Sequence, residues 1–292
     1  MIRLRAPAKI NLAHEVIGRR SDGYHEVQGV LQAIDLADEL EIRRGDSLSL
    51  RVEPEHSVTV DDNLVLRAAR ALRETAGVQA GATIVLHKRI PVAAGLGGGS
   101  SDAAATLVGL RRLWRASVSD ERLIAIAASL GSDVPFFLRG GTAFATGRGD
   151  LLRPLPSPVE PLAVIVTPEE PASRDKTARL YGLLRERHFS DGSATAEVVR
   201  RIEASEELGG AMVNTFEQVA GRAYPSFEVT SAIFSKLLVP NLMLAGAGPS
   251  MFTLMHREAE ADAALALMDR EDHTAVTVSL LSAWGIDGLS VD

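Results

Sequence analysis

An α+β fold is predicted by three features of the chain. The first half reads as mixed strand and helix; a glycine-serine loop sits between a β-rich segment and an alanine-rich helix; and near its end the chain reads strand, glycine turn, strand, helix. With 292 residues and 46% apolar content, the chain can build one large domain or two intimate ones around a real core.

In order, Glu39-Leu-Glu-Ile and Leu48-Ser-Leu-Arg-Val alternate as half-buried strands, and Asp62-Asn63 precedes a helical run from Leu64 to Thr75. A strand around Thr83-Ile-Val-Leu-His-Lys leads into the loop. After it, Ala103, Leu107, Leu110 and Trp114 mark one helical face. Ser119 caps a helix through Leu130 that Gly131 can end. Gly140-Gly141 and Gly147-Arg-Gly149 bracket a β segment, Thr142 to Thr146. The prolines at 154, 156, 158 and 161 mark the expected boundary between residues 1–155 and 156–292. The second part opens with a strand, Leu162 to Val166, turns helical and polar to about residue 225, and closes with Leu242-Met-Leu-Ala-Gly-Ala-Gly-Pro-Ser-Met-Phe-Thr-Leu-Met and a helix from Glu258 to Met268.

Bulk properties narrow the function. The absence of cysteine excludes disulfides, thiolate metal sites and cysteine nucleophiles, and no signal-like start or long apolar span is seen, so a cytoplasmic protein with no membrane partner is expected. A net charge of −7 argues against nucleic-acid binding, which usually needs a basic face. A phosphorylated ligand must then be held by local features.

The local feature is Pro91-Val-Ala-Ala-Gly-Leu-Gly-Gly-Gly-Ser-Ser, ending at Ser101. Gly95, Gly97, Gly98 and Gly99 permit positive φ and close approach of backbone N–H groups, and the following helix adds its positive dipole end, so the composition is that of an anion cradle. A Walker A loop would end in Gly-Lys-Ser or Gly-Lys-Thr, whereas Gly99 is followed by two serines and no lysine is placed for the β and γ phosphates. Gly95-Leu-Gly97-Gly-Gly-Ser100 fits a dinucleotide fingerprint poorly, and neither serine has the flanking glycines of a nucleophile elbow. A flexible linker would lack the ordered strand and helix on either side.

Three further segments carry candidate chemistry. In Ala6-Pro-Ala-Lys-Ile-Asn-Leu, a strand puts Lys9, Asn11 and Ala13 on one face and Ile10 and Leu12 on the other; the polar pair either lines a cleft or is solvated. In Gly131-Ser-Asp-Val-Pro-Phe-Phe, Ser132 or Asp133 serves as a helix cap, or Asp133 is a carboxylate at a cleft mouth. Asp22-Gly23-Tyr24-His25-Glu26 combines a turn with an aromatic and an imidazole; the plain reading lets Tyr24 cover the core. Arg185-Glu-Arg-His reads as a solvated helix face, and His14, His56, His87, His188, His256 and His273 have no ligand spacing, so no metal site is read from side chains.

Taken together, Ala6 to Leu12, Arg20-Ser-Asp-Gly-Tyr-His-Glu, Gly95-Leu-Gly-Gly-Gly-Ser-Ser-Asp and Gly131 to Phe137 resemble, in that order, the kinases that include galactokinase, homoserine kinase, mevalonate kinase and phosphomevalonate kinase. The likeness is strong to about residue 150 and thin after it, and it is closest to the branch whose acceptor is a cytidine diphosphate-linked methylerythritol of the non-mevalonate isoprenoid route. The resemblance implies a two-domain small-molecule kinase fold with the active site in a cleft between the domains, ATP as donor with Mg²⁺, and phosphorylation of the acceptor's C2 hydroxyl. By position, Asp133 matches the base and Lys9 the residue that holds developing charge. Pro91, Val92, Ala93, Ala94, Gly95, Leu96, Gly97, Gly98, Gly99, Ser100 and Ser101 match the ATP phosphate loop. Tyr24 and His25 match the cytosine segment, and Asn11 fits the substrate-side lining. Leu244 to Ser250 resembles a C-terminal glycine motif that closes on the site. A monomer or weak homodimer is expected. Pro168 to Thr177 is longer and more charged than the family's turn, and Thr215 stands where an acidic residue is more usual. The alternatives are a kinase of the same fold for homoserine or a mevalonate derivative, and a non-catalytic nucleotide-binding regulator.

Overall fold

The computed structural model describes residues 1–54, 63–169, 175–236, 242–270, 274–285 and 290–291. Asp62, His56 and His273, and residues 170–174 of the charged stretch before Lys176, lie outside the described residues. The strands are β1 (Ile2–Arg19), β2 (His25–Gly45), β3 (Leu48–Glu53), β4 (Gly81–His87), β5 (Thr142–Thr146), β6 (Leu151–Leu155), β7 (Leu162–Thr167), β8 (Val213–Asn214), β9 (Met243–Leu244), β10 (Met251–Met255), β11 (Thr274–Ser279) and β12 (Ser290–Val291). The α-helices are α1 (Leu64–Ala76), α2 (Gly98–Trp114), α3 (Asp120–Leu130), α4 (Val134–Phe137), α5 (Lys176–Leu183), α6 (Ser193–Glu203), α7 (Glu217–Ala220), α8 (Pro225–Lys236) and α9 (Glu258–Arg270).

Two sheets result. The large one runs β12-β1-β2-β4-β3, with β5 and then β6 continuing beside the far part of β2 and β8 joining β1; the small one runs β11-β7-β10-β9. The chain crosses from one to the other between Leu155 and Leu162, where Pro156, Pro158 and Pro161 stand; Pro154 lies in β6, an edge strand paired with β5 among the described residues, where proline is tolerated. Two short strands return: β8 pairs parallel with Ala13 and His14, and β12 antiparallel with Arg3 and Leu4.

Helices α1, α2 and α3 pack on one face of the large sheet through Leu4, Leu40, Ile42, Ile84, Leu72, Leu107, Leu110 and Leu123. The apolar stripe expected on α2 is instead a whole cylinder, since every residue from Ser101 to Leu110 is buried. The helix lies between sheet and helices, which is why it is built of alanine. At Gly109 an added Cβ would stand 2.6 Å from Ile42 Cδ1, so glycine sets how closely α2 approaches the strands. A second core joins the two parts of the chain: Ala8, Ile10 and Leu12 of β1 pack with Ala163 and Ile165 of β7, Val198 of α6 and Phe252 of β10.

Helix starts follow the sequence. Asn63 accepts from Val65 N at 2.9 Å and Ser119 from Arg122 N at 3.3 Å. The segment Arg185 to His188 departs from expectation: Glu186–His188 form a short 3-10 turn, and His188 is buried with its Nδ1 accepting the Arg185 N–H at 2.9 Å.

Candidate active site

Strand β1 carries the first site residues. Lys9 and Asn11 alternate onto one face as expected, and Lys9 Nζ donates to Asn11 Oδ1 at 2.6 Å. Both are nearly buried. The expected third member, Ala13, is not on that face. The β1–β2 register slips between Asn11 and Ala13, Leu12 being the extra residue, so Ala13 joins Leu12 in the apolar core and His14 takes the place on the cleft.

Asp133 does not cap α4. It occupies the N-cap position with helical backbone angles, φ −81° and ψ −16°, and no N–H reaches its side chain. Its carboxylate instead stands 3.9 Å from Lys9 Nζ and is 39% exposed, open to a reacting group from the cleft. Burial pulls the Lys9 ammonium below its ordinary pKa and the Asp133 charge pushes back.

The glycine loop is polarised. Its carbonyls are spent on protein: Ala93 O accepts from Lys176 Nζ at 2.5 Å, Ala94 O from Ser250 N at 3.1 Å, Leu96 O from Lys9 N at 3.0 Å and Gly97 O from Ser101 N at 3.0 Å. Among the described residues, no protein acceptor meets the N–H groups from Gly95 to Ser100. They are the free donors at the start of a 17-residue helix with no acidic side chain in its first turn, which is an anion site by both hydrogen bonding and dipole. Of the four loop glycines, Gly95 and Gly97 take positive φ, at 88° and 75°, as Ala93 does at 54°; Gly98 and Gly99, expected to share that role, begin α2 instead. A Cβ on Gly97 would meet Phe137 Cζ at 2.7 Å and Lys9 Cγ at 3.0 Å, so the glycine lets the loop lie against the Lys9 stem.

The C-terminal glycine turn closes on this loop. A Cβ on Gly246 would lie 2.9 Å from both Gly95 O and Lys9 Nζ. The turn is held from behind by Asn214, whose Nδ2 donates at 2.9 Å to Leu244 O and Gly246 O, and by Tyr224, whose hydroxyl donates to Ala247 O at 2.6 Å. Thr215, unexplained by sequence, locks β1: its Oγ1 accepts from Val16 N at 3.1 Å and its N–H donates to His14 O at 2.8 Å. Glu217 accepts from Leu244 N at 2.7 Å, and burial raises its carboxyl pKa to about 7.

Three lysines line the cleft. Lys88 sits between two buried carboxylates, bonded to Asp38 and, at 2.8 Å, to Asp102 Oδ2. Burial opposes its charge, but the two carboxylates outweigh that and hold its pKa above the ordinary value. Burial pushes the Asp102 carboxyl above its ordinary pKa while the Lys88 charge pulls it back, and among the described residues its buried Oδ1 has no partner. Lys176, at the start of α5, bridges Ala93 O and Gly248 O. Neither Lys88 nor Lys176 was singled out by sequence, because a lysine beside a loop carries no signal until the fold aims it.

At the other end of the cleft, Tyr24 is 55% exposed and does not cover the core; its N–H donates to Asp22 Oδ1 at 3.1 Å, and Arg148 lies over its ring at 4.8 Å. His25 stacks on Tyr181, centroids 4.6 Å apart and planes at 17°. Tyr181 also meets Phe216 edge to face at 4.9 Å. The cleft encloses about 1120 Å³ and reaches from these rings past Lys9, Asp133 and the glycine loop to Asn63 and Leu64. That exceeds the ~300–1,000 Å³ of a site for one small ligand and leaves room for two.

The GHMP kinases N terminal domain matches residues 63–141. A 4-diphosphocytidyl-2-C-methyl-D-erythritol kinase of Bacillus pumilus is 39% identical over 88% of this chain and 89% of its own length, and one of Dehalococcoides mccartyi is 37% identical over 96% and 99%. Among solved structures, a 4-(cytidine 5'-diphospho)-2C-methyl-D-erythritol kinase superposes with TM-score 0.80 at 34% identity, covering 95% of this chain and 98% of that one. Homoserine kinase from Cytophaga hutchinsonii superposes at 0.74 with 17% identity over 98% of this chain and 96% of its own, a likeness of fold. No helix among the described residues is long and apolar enough to cross a membrane. With the α+β fold, the cleft and these relatives in agreement, the chain belongs to the 4-diphosphocytidyl-2-C-methyl-D-erythritol kinase family of the GHMP kinases and is an ATP-dependent small-molecule kinase.

Proposed function

We propose that the chain transfers the γ-phosphoryl group of ATP to the C2 hydroxyl of 4-diphosphocytidyl-2-C-methyl-D-erythritol, a step of the non-mevalonate isoprenoid pathway. The observation that carries this reading is the pairing of a half-open carboxylate, Asp133, with a buried ammonium, Lys9, 3.9 Å away and beside a loop of unpaired N–H groups. The names of the relatives support the acceptor.

Phosphoryl transfer asks a protein for position and charge rather than covalent help. The acceptor hydroxyl oxygen bonds to the γ-phosphorus as the bond from phosphorus to the β,γ-bridging oxygen breaks, ADP leaves, and the hydroxyl proton passes to Asp133. Lys9, oriented by Asn11, faces the charge that develops between the hydroxyl and the phosphate. The N–H groups of Gly95 to Ser100 hold the donor phosphates. Tyr24 and His25, with Tyr181 behind His25, form the aromatic end suited to a pyrimidine.

Mg²⁺ would supply charge neutralisation and alignment of the phosphates. Among the described residues no group of three acidic or histidine side chains gathers to hold an ion, but Asp102 Oδ1, unpartnered and on a residue lining the cleft, fits an oxygen-seeking cation directly or through water, with phosphate and water completing the shell. This reading divides the chain into residues 1–155, with the loop and the reactive pair, and 156–292, which supplies the brace.

ADP release from Mg²⁺-ATP, with the cytidine diphosphate substrate, mevalonate, homoserine or galactose offered separately, tests the proposal. Release with the cytidine compound alone is expected. Release only with another alcohol would keep the kinase and move its acceptor; ATP binding without release would favour a regulator.

A further inference from the structure

The cradle has donors but no charged side chain of its own: Pro91 to Ser101 contains neither lysine nor arginine. Yet three ammonium groups reach the cleft, and their partners differ in kind. Lys9 faces Asp133, and Lys88 is held between Asp38 and Asp102. Lys176, among the described residues, faces no carboxylate; its acceptors are two neutral carbonyls, Ala93 O in the phosphate loop and Gly248 O in the C-terminal turn. An ammonium held by carbonyls exchanges them for a phosphate oxygen with a gain in charge-assisted bonding, whereas Lys88 would have to abandon two carboxylates.

We propose that Lys176 is the phosphate-binding cation of this kinase, a lysine that the second part of the chain delivers to a glycine loop lacking one, and that it moves from the Ala93 and Gly248 carbonyls onto a phosphate of the bound nucleotide. The inference rests on the reading of the 91–101 loop as the ATP cradle and adds the residue that favours the longer polyphosphates.

The surroundings give the contact a signature. Burial, with the Lys9 charge second, lowers Lys176 to about 7. Among the described residues, Lys9 faces it from β1, the 91–101 and 244–250 loops carry no charged side chain, Asp175 on its own segment is exposed, and Arg179 is turned to the Arg222 carbonyl at 3.3 Å. Above pH 7 the ligand-free protein therefore holds Lys176 largely neutral, and an arriving polyphosphate anion draws a proton onto it. Affinity for ATP then falls as pH rises through and beyond 7.

The test is calorimetric titration of the folded protein with ATP, ADP and AMP at pH 8, in buffers of different ionisation enthalpy, for wild type, Lys176→Met and Lys176→Arg. Wild type is expected to take up close to one proton with ATP and much less with AMP. Lys176→Met should lose that uptake and about tenfold in ATP affinity, with AMP affinity little changed. Lys176→Arg should keep most of the affinity but show no uptake, since arginine is already charged. ATP binding by Lys176→Met with wild-type affinity and uptake would overturn the assignment while leaving the cradle intact. An equal loss for ATP and AMP would reduce Lys176 to a staple between loops and overturn it too. A folded wild type that binds no ATP would overturn the cradle and this proposal together. Thermal melting of each variant separates these outcomes from misfolding.

Discussion

The two glycine turns of this molecule, 91–101 and 244–250, are alike in composition and differ in how far the protein occupies their polar groups. In the first, carbonyls are engaged by protein and the N–H groups from Gly95 to Ser100 are left over. In the second, most N–H groups are consumed: Leu244 N donates to Glu217 at 2.7 Å, Ala245 N to Ser250 O and Gly248 N to Ala245 O, both at 2.8 Å, and Ser250 N to Ala94 O, while among the described residues only those of Gly246 and Ala247 meet no protein acceptor. Its carbonyls are occupied as well, by Asn214, Tyr224 and Lys176. Glycine content therefore announces only that backbone comes close to something. What differs is how much of each turn the protein itself occupies: among the described residues the first keeps a run of N–H groups from Gly95 to Ser100, and the second is pinned through its carbonyls by Asn214, Tyr224 and Lys176.

The comparison is sharpened most by the reactive pair next to the cradle. Asp133→Asn should lower turnover by about 10²-fold or more while the ATP dissociation constant stays put, since the base acts on the acceptor and not on the nucleotide. Unchanged turnover would remove Asp133 from the mechanism. Lys9→Ala should cut turnover further than ATP affinity, and a folded variant that binds no ATP would transfer Lys9 to the donor site.

Next in size, Gly97→Val places a branched side chain at φ +75° and against Phe137 Cζ, so ATP affinity should fall at least tenfold and stability by about 1–3 kcal/mol. Gly99→Ala is the control, with its Cβ 3.7 Å from Leu64 Cδ1 in the first turn of α2; equilibrium unfolding should show it neutral or slightly stabilised. Normal ATP binding by a folded Gly97→Val protein would contradict the cradle.

On the brace, Asn214→Ala strips two buried carbonyls of their donor and should destabilise by about 1–3 kcal/mol in urea unfolding, with a smaller change in ATP affinity than Gly97→Val gives. If affinity fell as much as stability, the second turn would be binding ligand and the contrast would collapse.

The smallest effect concerns His14, which burial chiefly, and the neighbouring Lys9 charge, lower to about 4 from 6.5. The unfolded chain takes up a proton between pH 6.5 and 4 that the folded one refuses, so this contribution to stability is whole above pH 6.5 and declines as pH falls toward 4. His14→Gln should flatten that limb; a variant with the same decline between pH 7 and 5 would clear His14 of the effect.

Much of the local architecture was legible. The helix start at Asn63, the cap at Ser119, the strand Thr142 to Thr146 and the strand, turn, strand near residue 245 follow from side-chain chemistry and periodicity that neighbouring residues settle among themselves. The alternation that put Lys9 and Asn11 on one face held for as long as the strand stayed regular. It failed at Ala13, because a bulge is a property of two strands in register and β2 lies too far along the chain to be read from β1. The same distance hid Lys176, which meets Ala93 across 83 residues, Tyr181, which stacks on His25 from a remote part of the chain, and Asn214, which holds the 244–250 turn from behind.

By itself, then, the sequence determined the α+β class, the family and the glycine-serine composition of the loop, and it offered Lys9 and Asp133 as candidates for charge and acid-base work, since each of these is written in short contiguous stretches. Tertiary structure alone decided that Asp133 turns away from capping toward Lys9, that α2 is buried all round from Ser101 to Leu110, that the 244–250 turn is pinned from behind against the 91–101 loop, and that Lys176 reaches that loop from the second part of the chain. Hydrogen-bond partners and buried charge depend on which distant groups compete for the same donors and the same dry space, and only the folded chain brings those groups together.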